Sequence, residues 1–161
     1  MNAIETWRTA GETRNADLAV TALTPDVTLI SPITEQFVFR GRDQVHNLLE
    51  VALSEIDDLT YTDQAGEGPV VALFYEARIG ATRIFEAQRL RLSDQGEIEE
   101  ITLYVRPLPA LTLLMNRLGP ELARRNNQPA LARLVPLAGG ALHAMATSGE
   151  RTIMPRVAPR D

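Results

Sequence analysis

The chain has 161 residues, about the size of one domain, and its 16 arginines against 21 acidic residues give a net charge of −5. It contains no lysine, no cysteine and only two histidines, His46 and His143, which excludes disulfides, thiolate nucleophiles and iron–sulfur clusters and leaves too few ligands for a Cys/His zinc site. No apolar run reaches the roughly 18 to 20 residues of a membrane span, and residues 1–11 lack a signal-peptide core. Phosphate-binding loops, nucleophile elbows and H-E-x-x-H motifs are missing as well. We therefore predict a cytoplasmic protein that needs no metal or cofactor and binds neither membranes nor nucleic acid.

Charge divides the chain into two parts. Residues 1–105 carry 8 arginines and 18 acids, a net charge of −10, whereas residues 106–161 carry 8 arginines and 3 acids, a net charge of +5. A basic tail of this kind either neutralises its own domain or binds an anionic partner, and we favour the first. The predicted division is a domain at 1–108 and a helical extension with a loose basic tail at 109–161.

The first third predicts helices followed by short strands. Asn15 or Asp17 is placed to cap the second helix, Pro32 ends the first strand and Gly41 closes the second. The elements in chain order are two short helices around Ile4 to Trp7 and Leu18 to Leu23, a turn at Thr24–Asp26, and strands at Val27–Ser31 and Phe37–Phe39.

The next segment predicts a long amphipathic helix that begins near Asp43. Its apolar residues recur at helical spacing on one stripe: Val45, Leu48, Leu49, Ala52, Leu53 and Ile56. A stripe of this kind has to pack on another element, and a sheet follows it in the sequence.

From Leu59 onward the apolar period changes to two, and Gly-containing turns separate the runs. The predicted strands are Leu59–Gln64, Val70–Ile79, Thr82–Leu92 and Ile98–Arg106. This order predicts an antiparallel meander in an α+β fold, with the helices on one face of the sheet.

The last third predicts a helix at Pro109–Leu118 stopped by Gly119-Pro120, and an apolar helix at Pro129–Thr147 broken by Pro136 and Gly139-Gly140, before a loose end at Met154–Asp161.

Alternation divides the strands into an inner and an outer face. The outer face mixes rings with guanidinium groups: Phe74, Glu76, Arg78, Arg83, Phe85, Arg89, Arg91, Thr102, Tyr104 and Arg106. Such a mixture is typical of a protein interface, so we predict a homodimer through this face, although a solvated sheet would also tolerate the arginines.

Two polar residues interrupt the aliphatic inner face. Glu86 and Gln88 lie at inward positions of a strand that the helices should cover. An unpaired buried carboxylate costs several kcal/mol or takes up a proton, as an order of magnitude. We interpret Glu86 as a candidate catalytic acid or base positioned by Gln88, facing Tyr75, Trp7 or Ser31; the alternative is a carboxylate at a wet rim or paired with an arginine.

The order of elements resembles the nuclear transport factor 2-like superfamily, and in particular its SnoaL-like proteins. The residues that carry the resemblance are Asn15–Leu18, Asp26–Pro32, Phe39–Asp43, and Asp94–Ile98 leading to Val105–Leu108. The resemblance implies a cone of curved antiparallel sheet packed on the N-terminal helices, with a pocket for a small molecule. It specifies the fold over residues 3–108 and no single reaction.

Known catalytic sets of that superfamily are missing from this chain. Ser31 stands where ketosteroid isomerase has its Asp base, and that enzyme's first-helix tyrosine falls near Thr9. The last-strand Asp of limonene epoxide hydrolase falls near Leu103, and the histidine pair of scytalone dehydratase has no counterpart, since His46 stands alone in the domain.

The sequence therefore predicts a pocket lined by Trp7, Ser31, His46, Tyr75, Gln88 and Leu103, with Glu86 as its acid or base. The function expected from it is binding of a small, largely apolar molecule, with cofactor-free isomerisation, cyclisation or hydrolysis. The alternative is a non-catalytic ligand-binding or dimerisation module.

Overall fold

The computed structural model describes residues 1–159 and shows an α+β protein. Its helices are α1 Ala3–Glu12, α2 Ala16–Val20, α3 Gly41–Glu55, α4 Leu108–Arg125 and α5 Pro129–Thr152, with a 3-10 turn at Met154–Arg156. Its strands are β1 Leu23–Ile30, β2 Phe39–Arg40, β3 Asp57–Ala65, β4 Val70–Ile79, β5 Thr82–Leu92 and β6 Ile98–Arg106. Residues 160 and 161, the end of the segment predicted to be loose, lie outside the described residues. Within the described residues the chain forms two compact units, Met1–Val105 and a second unit that begins at Arg106.

The N-terminal helices begin at side-chain caps. In α1 the Asn2 side chain accepts from the Glu5 amide, and the Glu5 carboxylate accepts from the Asn2 amide, which is a complete capping box. The Asn15 side chain accepts from the Leu18 amide and starts α2. The two short helices and the cap at Asn15 are thus confirmed.

All six strands belong to one sheet, in the order β2-β1-β6-β5-β4-β3. The β3–β4 and β4–β5 pairs are antiparallel, as the meander predicts, and β2 is antiparallel to β1. However, β1 pairs parallel to β6, so the sheet is mostly rather than wholly antiparallel. The parallel pair arises because β2 and α3 follow β1 and carry the chain to β3 at the far edge of the sheet, from which the meander returns its last strand beside β1.

The turn predicted at Thr24–Asp26 is wrong, because these residues continue β1. Leu23 pairs with Ile98, and regular pairing resumes at Thr28 with Glu100 after a register shift. Pro25 lies inside that irregular stretch, where a residue without an N–H removes no ladder bond. The sequence signal for a turn marks a bulge instead.

Burial alternates along the meander as the period of two predicts. On β4, Val71, Leu73, Tyr75, Ala77 and Ile79 are buried, while Phe74 and Arg78 are exposed. The inner residues of the sheet form one core with Ile4, Trp7 and Ala10 of α1 and Val45, Leu48, Val51 and Leu53 of α3. Two aromatic rings lie open on the other face, with Phe74 37% and Tyr104 56% exposed.

In the second unit α4 and α5 each run unbroken, so the predicted breaks at Gly119-Pro120, Pro136 and Gly139-Gly140 are wrong. The two glycines allow close approach between the helices. A Cβ on Gly119 would lie 2.7 Å from Val135 Cγ1, and one on Gly139 would lie 2.9 Å from Asn116 Oδ1. Packing at these points outweighs the local tendency of Gly and Pro to end a helix.

Candidate active site

Two tyrosine side chains and one glutamate side chain form a row across the inner face of the sheet. Tyr61 of β3 is opposite Tyr75 of β4, and Tyr75 is opposite Glu86 of β5. The two tyrosine rings meet edge to face, with centroids 5.6 Å apart. The register thus places the carboxyl of Glu86 at one end of an aromatic row.

Gln88 connects this row to α1. Its Oε1 accepts from the indole Nε1 of Trp7 at 2.8 Å and from the hydroxyl of Tyr61 at 3.3 Å. Because an indole N–H can only donate, Gln88 presents its oxygen to Trp7 and therefore its amide nitrogen to Glu86. That nitrogen donates to Glu86 Oε1 at 2.8 Å. Glu86, Gln88, Trp7, Tyr61 and Tyr75 make up what we call the Glu86 cluster.

The Glu86 carboxyl is buried, with 7% of the residue exposed, and its partners carry no charge. Burial raises its pKa from 4.5 to about 7, against the opposing effect of hydrogen bonds from Gln88 and Tyr75. Burial also raises the pKa of both Tyr75 and Tyr61 well above the usual 10, with the nearby Glu86 carboxylate adding to the effect. At neutral pH the tyrosines are therefore neutral donors, while Glu86 divides between its acid and its carboxylate.

The cluster is almost closed to solvent. Each of its five residues keeps between 4% and 8% of its surface accessible. On the same inner face Leu73, Ile84 and Leu90 keep none, while Val71 and Ala77 keep 5% and 4%. The polar side chains of the cluster are therefore about as buried as the aliphatic core around them.

Charged groups of α1 border the cluster on the Tyr61 side. The guanidinium carbon of Arg8 lies 5.6 Å from the centroid of the Tyr61 ring, a cation–π contact. Glu12 Oε1 accepts from the backbone amide of Tyr61 at 3.3 Å. Gly11 lies beside the same ring, where a Cβ would be 3.1 Å from the Tyr61 hydroxyl. This helix therefore positions both Trp7 and the far end of the aromatic row.

Of the residues predicted to share the site, Trp7, Tyr75 and Gln88 lie together with Glu86, and Tyr61 was missed. Its signal was present, since Leu59 and Tyr61 are the buried residues of an otherwise exposed β3 and continue the inward period. The structure does not connect the other three predicted residues to the cluster by any hydrogen bond. Leu103 is half-buried on β6.

Ser31 and His46 have partners elsewhere. The Ser31 hydroxyl accepts from the Ile33 amide at 3.1 Å, just after β1. His46 of α3 lies with Nε2 2.8 Å from Asp17 Oδ1 and Nδ1 3.9 Å from Glu50 Oε2. These three contacts lie at the surface of the protein, and they give both side chains partners without a ligand.

The arrangement can hold or move one proton at Glu86. A neutral carboxyl donates and an ionised one accepts, and both forms are populated near pH 7.

Over residues 1–159, no group of three or more His, Cys, Asp or Glu side chains is placed to hold a metal ion. None of the helices in that range is long and apolar enough to cross a membrane.

No profile of a known protein family matches this chain, and no curated protein matches it. Solved structures do. A steroid delta-isomerase from Pseudomonas aeruginosa is 26% identical with a TM-score of 0.65, covering 78% of this chain and 89% of its own. A nuclear transport factor 2-like protein of unknown function from Cytophaga hutchinsonii is 21% identical with a TM-score of 0.57, covering 67% and 90%.

The chain has the nuclear transport factor 2-like fold. A third structure with this fold, a hypothetical protein from Catenulispora acidiphila described as ketosteroid isomerase-like, was solved in complex with trimethylamine. It is 19% identical with a TM-score of 0.56, covering 69% of this chain and 89% of its own. The predicted superfamily resemblance is thus confirmed at the level of the fold. None of the three structures is named SnoaL-like, so that narrower resemblance stays a prediction.

Proposed function

We propose that this protein binds a small, largely apolar molecule at the Glu86 cluster and acts on it by proton transfer without a cofactor. Glu86 is the catalytic acid or base, and the reaction class is isomerisation, cyclisation or hydrolysis. The observation that carries the proposal is the burial of the Glu86 carboxyl beside neutral donors only, which raises its pKa to about 7. A group with a pKa near the working pH combines a usable protonation state with driving force for proton transfer.

The remaining members of the cluster have supporting roles in this proposal. Gln88 fixes the carboxyl through the bond to Oε1, which leaves Oε2 to carry the proton. Tyr75 donates to the same carboxyl. Trp7 and the tyrosine rings supply the apolar walls that a largely apolar ligand needs. Ser31, His46 and Leu103 remain proposed pocket residues at positions outside this hydrogen-bonded set.

The comparisons support the reaction class without selecting one reaction. One structure of this fold is named a steroid delta-isomerase, and the Catenulispora structure holds trimethylamine. This chain has Ser31 where the isomerase family places its base. In our proposal Glu86, which lies on β5, takes the place of that base.

The test is substitution of Glu86 by Gln, which keeps shape and hydrogen bonding but removes the titrating proton. Ligands are first found by thermal-shift screening of metabolite fractions, since a molecule that binds the native state raises its melting temperature. With a ligand that the wild-type protein converts to product, E86Q should lower kcat by about 10²- to 10⁴-fold while the circular dichroism spectrum is unchanged. The matched control is E76Q, the same substitution on the outer face of β4, which should leave kcat unchanged.

The non-catalytic alternative makes a different prediction for the same variant. Because the Glu86 and Gln88 side chains already bond each other, the cluster could serve binding alone. E86Q would then retain the ligand, and no wild-type turnover would be measurable on any ligand that the screen recovers. Full activity of E86Q on a turned-over ligand would contradict the catalytic assignment.

We also propose that the protein is a homodimer through the outer face of the sheet. Phe74 and Tyr104 are open to solvent there, and arginines and acids surround them. Replacing both rings, F74E with Y104E, should convert the dimer to a monomer in analytical ultracentrifugation. A monomeric wild-type protein at 100 micromolar, roughly the upper limit of a specific weak contact, would contradict the proposal.

A further inference from the structure

We infer that the ligand of the Glu86 cluster carries a small alkylammonium group, with the Glu86 carboxylate as its counter-ion and the rings of Trp7, Tyr61 and Tyr75 as its walls. The inference rests on the proposed function, because it concerns the same site. It goes further by assigning a charge and a chemical class to the part of the ligand that reaches Glu86.

Among the described residues, Glu86 lacks the positively charged partner that other acids of the sheet have. Over residues 1–159, no ion pair involves Glu86, although the outer-face acids Glu76 and Glu100 each bind an arginine. Gln88 and Tyr75 orient the carboxyl but cannot neutralise it. A cation brought by the ligand would supply what the chain does not, and would recover the Coulomb energy that burial makes large.

The side chains around the Glu86 carboxyl are mostly aromatic. The cluster contains the one tryptophan of the chain and two of its three tyrosines. Aromatic rings attract a cation to their electron-rich faces, most strongly where water is excluded. Aromatic rings around a carboxylate therefore form an environment suited to an organic cation, and an anionic ligand group would be repelled by both components.

Size and hydrogen bonding also favour an alkylammonium group. At most 8% of each cluster residue is accessible, so only a compact group can reach the carboxyl. A methylated ammonium group is compact and carries apolar methyl groups that fit ring surfaces. A guanidinium group carries five N–H donors and needs several hydrogen-bond acceptors to satisfy them.

The charged and titratable groups that border Glu86 set the expected pH dependence. These are Tyr75 of β4, Tyr61 of β3, and Arg8 and Glu12 of α1, the last two acting at the Tyr61 end. Both tyrosines stay neutral near pH 7, because burial raises their pKa values well above the usual 10. Binding of a cation to a protonated Glu86 must release one proton to solvent, so affinity should rise as the pH increases through about 7.

The experiment is calorimetric titration of the full chain with choline and tetramethylammonium, in phosphate buffer because common amine buffers would compete. The matched neutral probe is 3,3-dimethylbutan-1-ol, which has the shape of choline without its charge. We expect both cations to bind, the alcohol to bind at least tenfold more weakly, and cation affinity to rise about tenfold from pH 6 to pH 8. E86Q should lose the cation preference and E76Q should keep it.

Two results would overturn the inference, and they separate it from the proposed function. Equal affinity for choline and the neutral alcohol would show that charge is not recognised, while binding of an apolar ligand at Glu86 would stand. Failure of both cations to bind below about 10 mM would also overturn it. In either case the proposed function is judged separately, by the effect of E86Q on turnover.

Discussion

The two faces of the same strands carry carboxylates in opposite settings. On the outer face Glu76 lies 2.8 Å from Arg83 and Glu100 lies 2.7 Å from Arg89, and the side chains of both pairs are partly exposed. On the inner face Glu86 has the amide of Gln88 and the hydroxyl of Tyr75 instead of an arginine. The difference teaches that hydrogen bonds from neutral donors orient a buried carboxyl without neutralising it. A proton is therefore exchanged near pH 7 at Glu86, because its environment supplies no fixed charge.

The largest stability effect expected from this contrast is a pH dependence that belongs to Glu86. Its pKa is raised on folding, from 4.5 to about 7, so the native state holds the proton more tightly than the unfolded state. The stabilisation is full below about pH 4.5 and is lost as pH rises to about 7, which amounts to about 3 kcal/mol as an order of magnitude. Urea unfolding of wild type and E86Q from pH 4.5 to 8 should show this loss in the wild type only.

The control for that measurement is E76Q, whose unfolding free energy should follow the wild-type pH profile. Subtracting the E86Q profile from the wild-type profile removes the contribution of every other titrating group. A difference that stays constant from pH 4.5 to 8 would show that Glu86 does not exchange its proton near neutrality.

An effect of similar size is expected from the link between α1 and the sheet. Trp7→Phe removes the buried N–H that binds Gln88 Oε1 at 2.8 Å and leaves a void, so the unfolding free energy should fall by about 2 to 4 kcal/mol. Tyr61→Phe removes only the longer 3.3 Å bond to the same oxygen and should cost about 1 kcal/mol or less. Circular dichroism is the appropriate probe, since Trp7 is the only tryptophan. Equal losses in the two variants would contradict the hydrogen-bond arrangement around Gln88.

The smallest effect belongs to the outer face. A double-mutant cycle on Arg83 and Glu76, measured at a concentration where the protein is monomeric, should give a coupling energy of about 0.2 to 1 kcal/mol, because the pair is then exposed and screened. Raising the salt concentration to about 1 M should reduce that coupling further. A coupling above about 2 kcal/mol in the monomer would contradict this expectation, whereas a higher coupling in the dimer fits the proposed interface.

Much of the fold is predictable because its signals are local and periodic. Strands β4, β5 and β6 begin and end where the sequence predicts, since alternation and Gly-containing turns coincide there. The errors fall where tertiary packing outweighs a local signal. Pro25 occupies an irregular stretch of β1, and Gly119 and Gly139 make room for the neighbouring helix instead of ending their own.

The candidate site is predictable only in part, and for a similar reason. The alternation of side chains along a strand is enough to place Glu86, Gln88 and Tyr75 on one face of the sheet. The bond from Trp7 to Gln88 joins residues 81 positions apart, and no periodicity encodes which inward residue a helix side chain will reach. Tyr61 shares the inward alternation of Leu59, but its position opposite Tyr75 depends on the register of β3 against β4, which contains shifts that the sequence does not show.

The most direct test is a ¹³C NMR titration of the Glu86 side-chain carboxyl in glutamate-labelled protein, with its resonance assigned by its absence from E86Q. We predict a midpoint near pH 7 for the Glu86 carboxyl. A midpoint at or below about 4.5, the value of an exposed glutamate, would contradict the account, since a carboxyl that ionises so easily must have a charged or solvated partner.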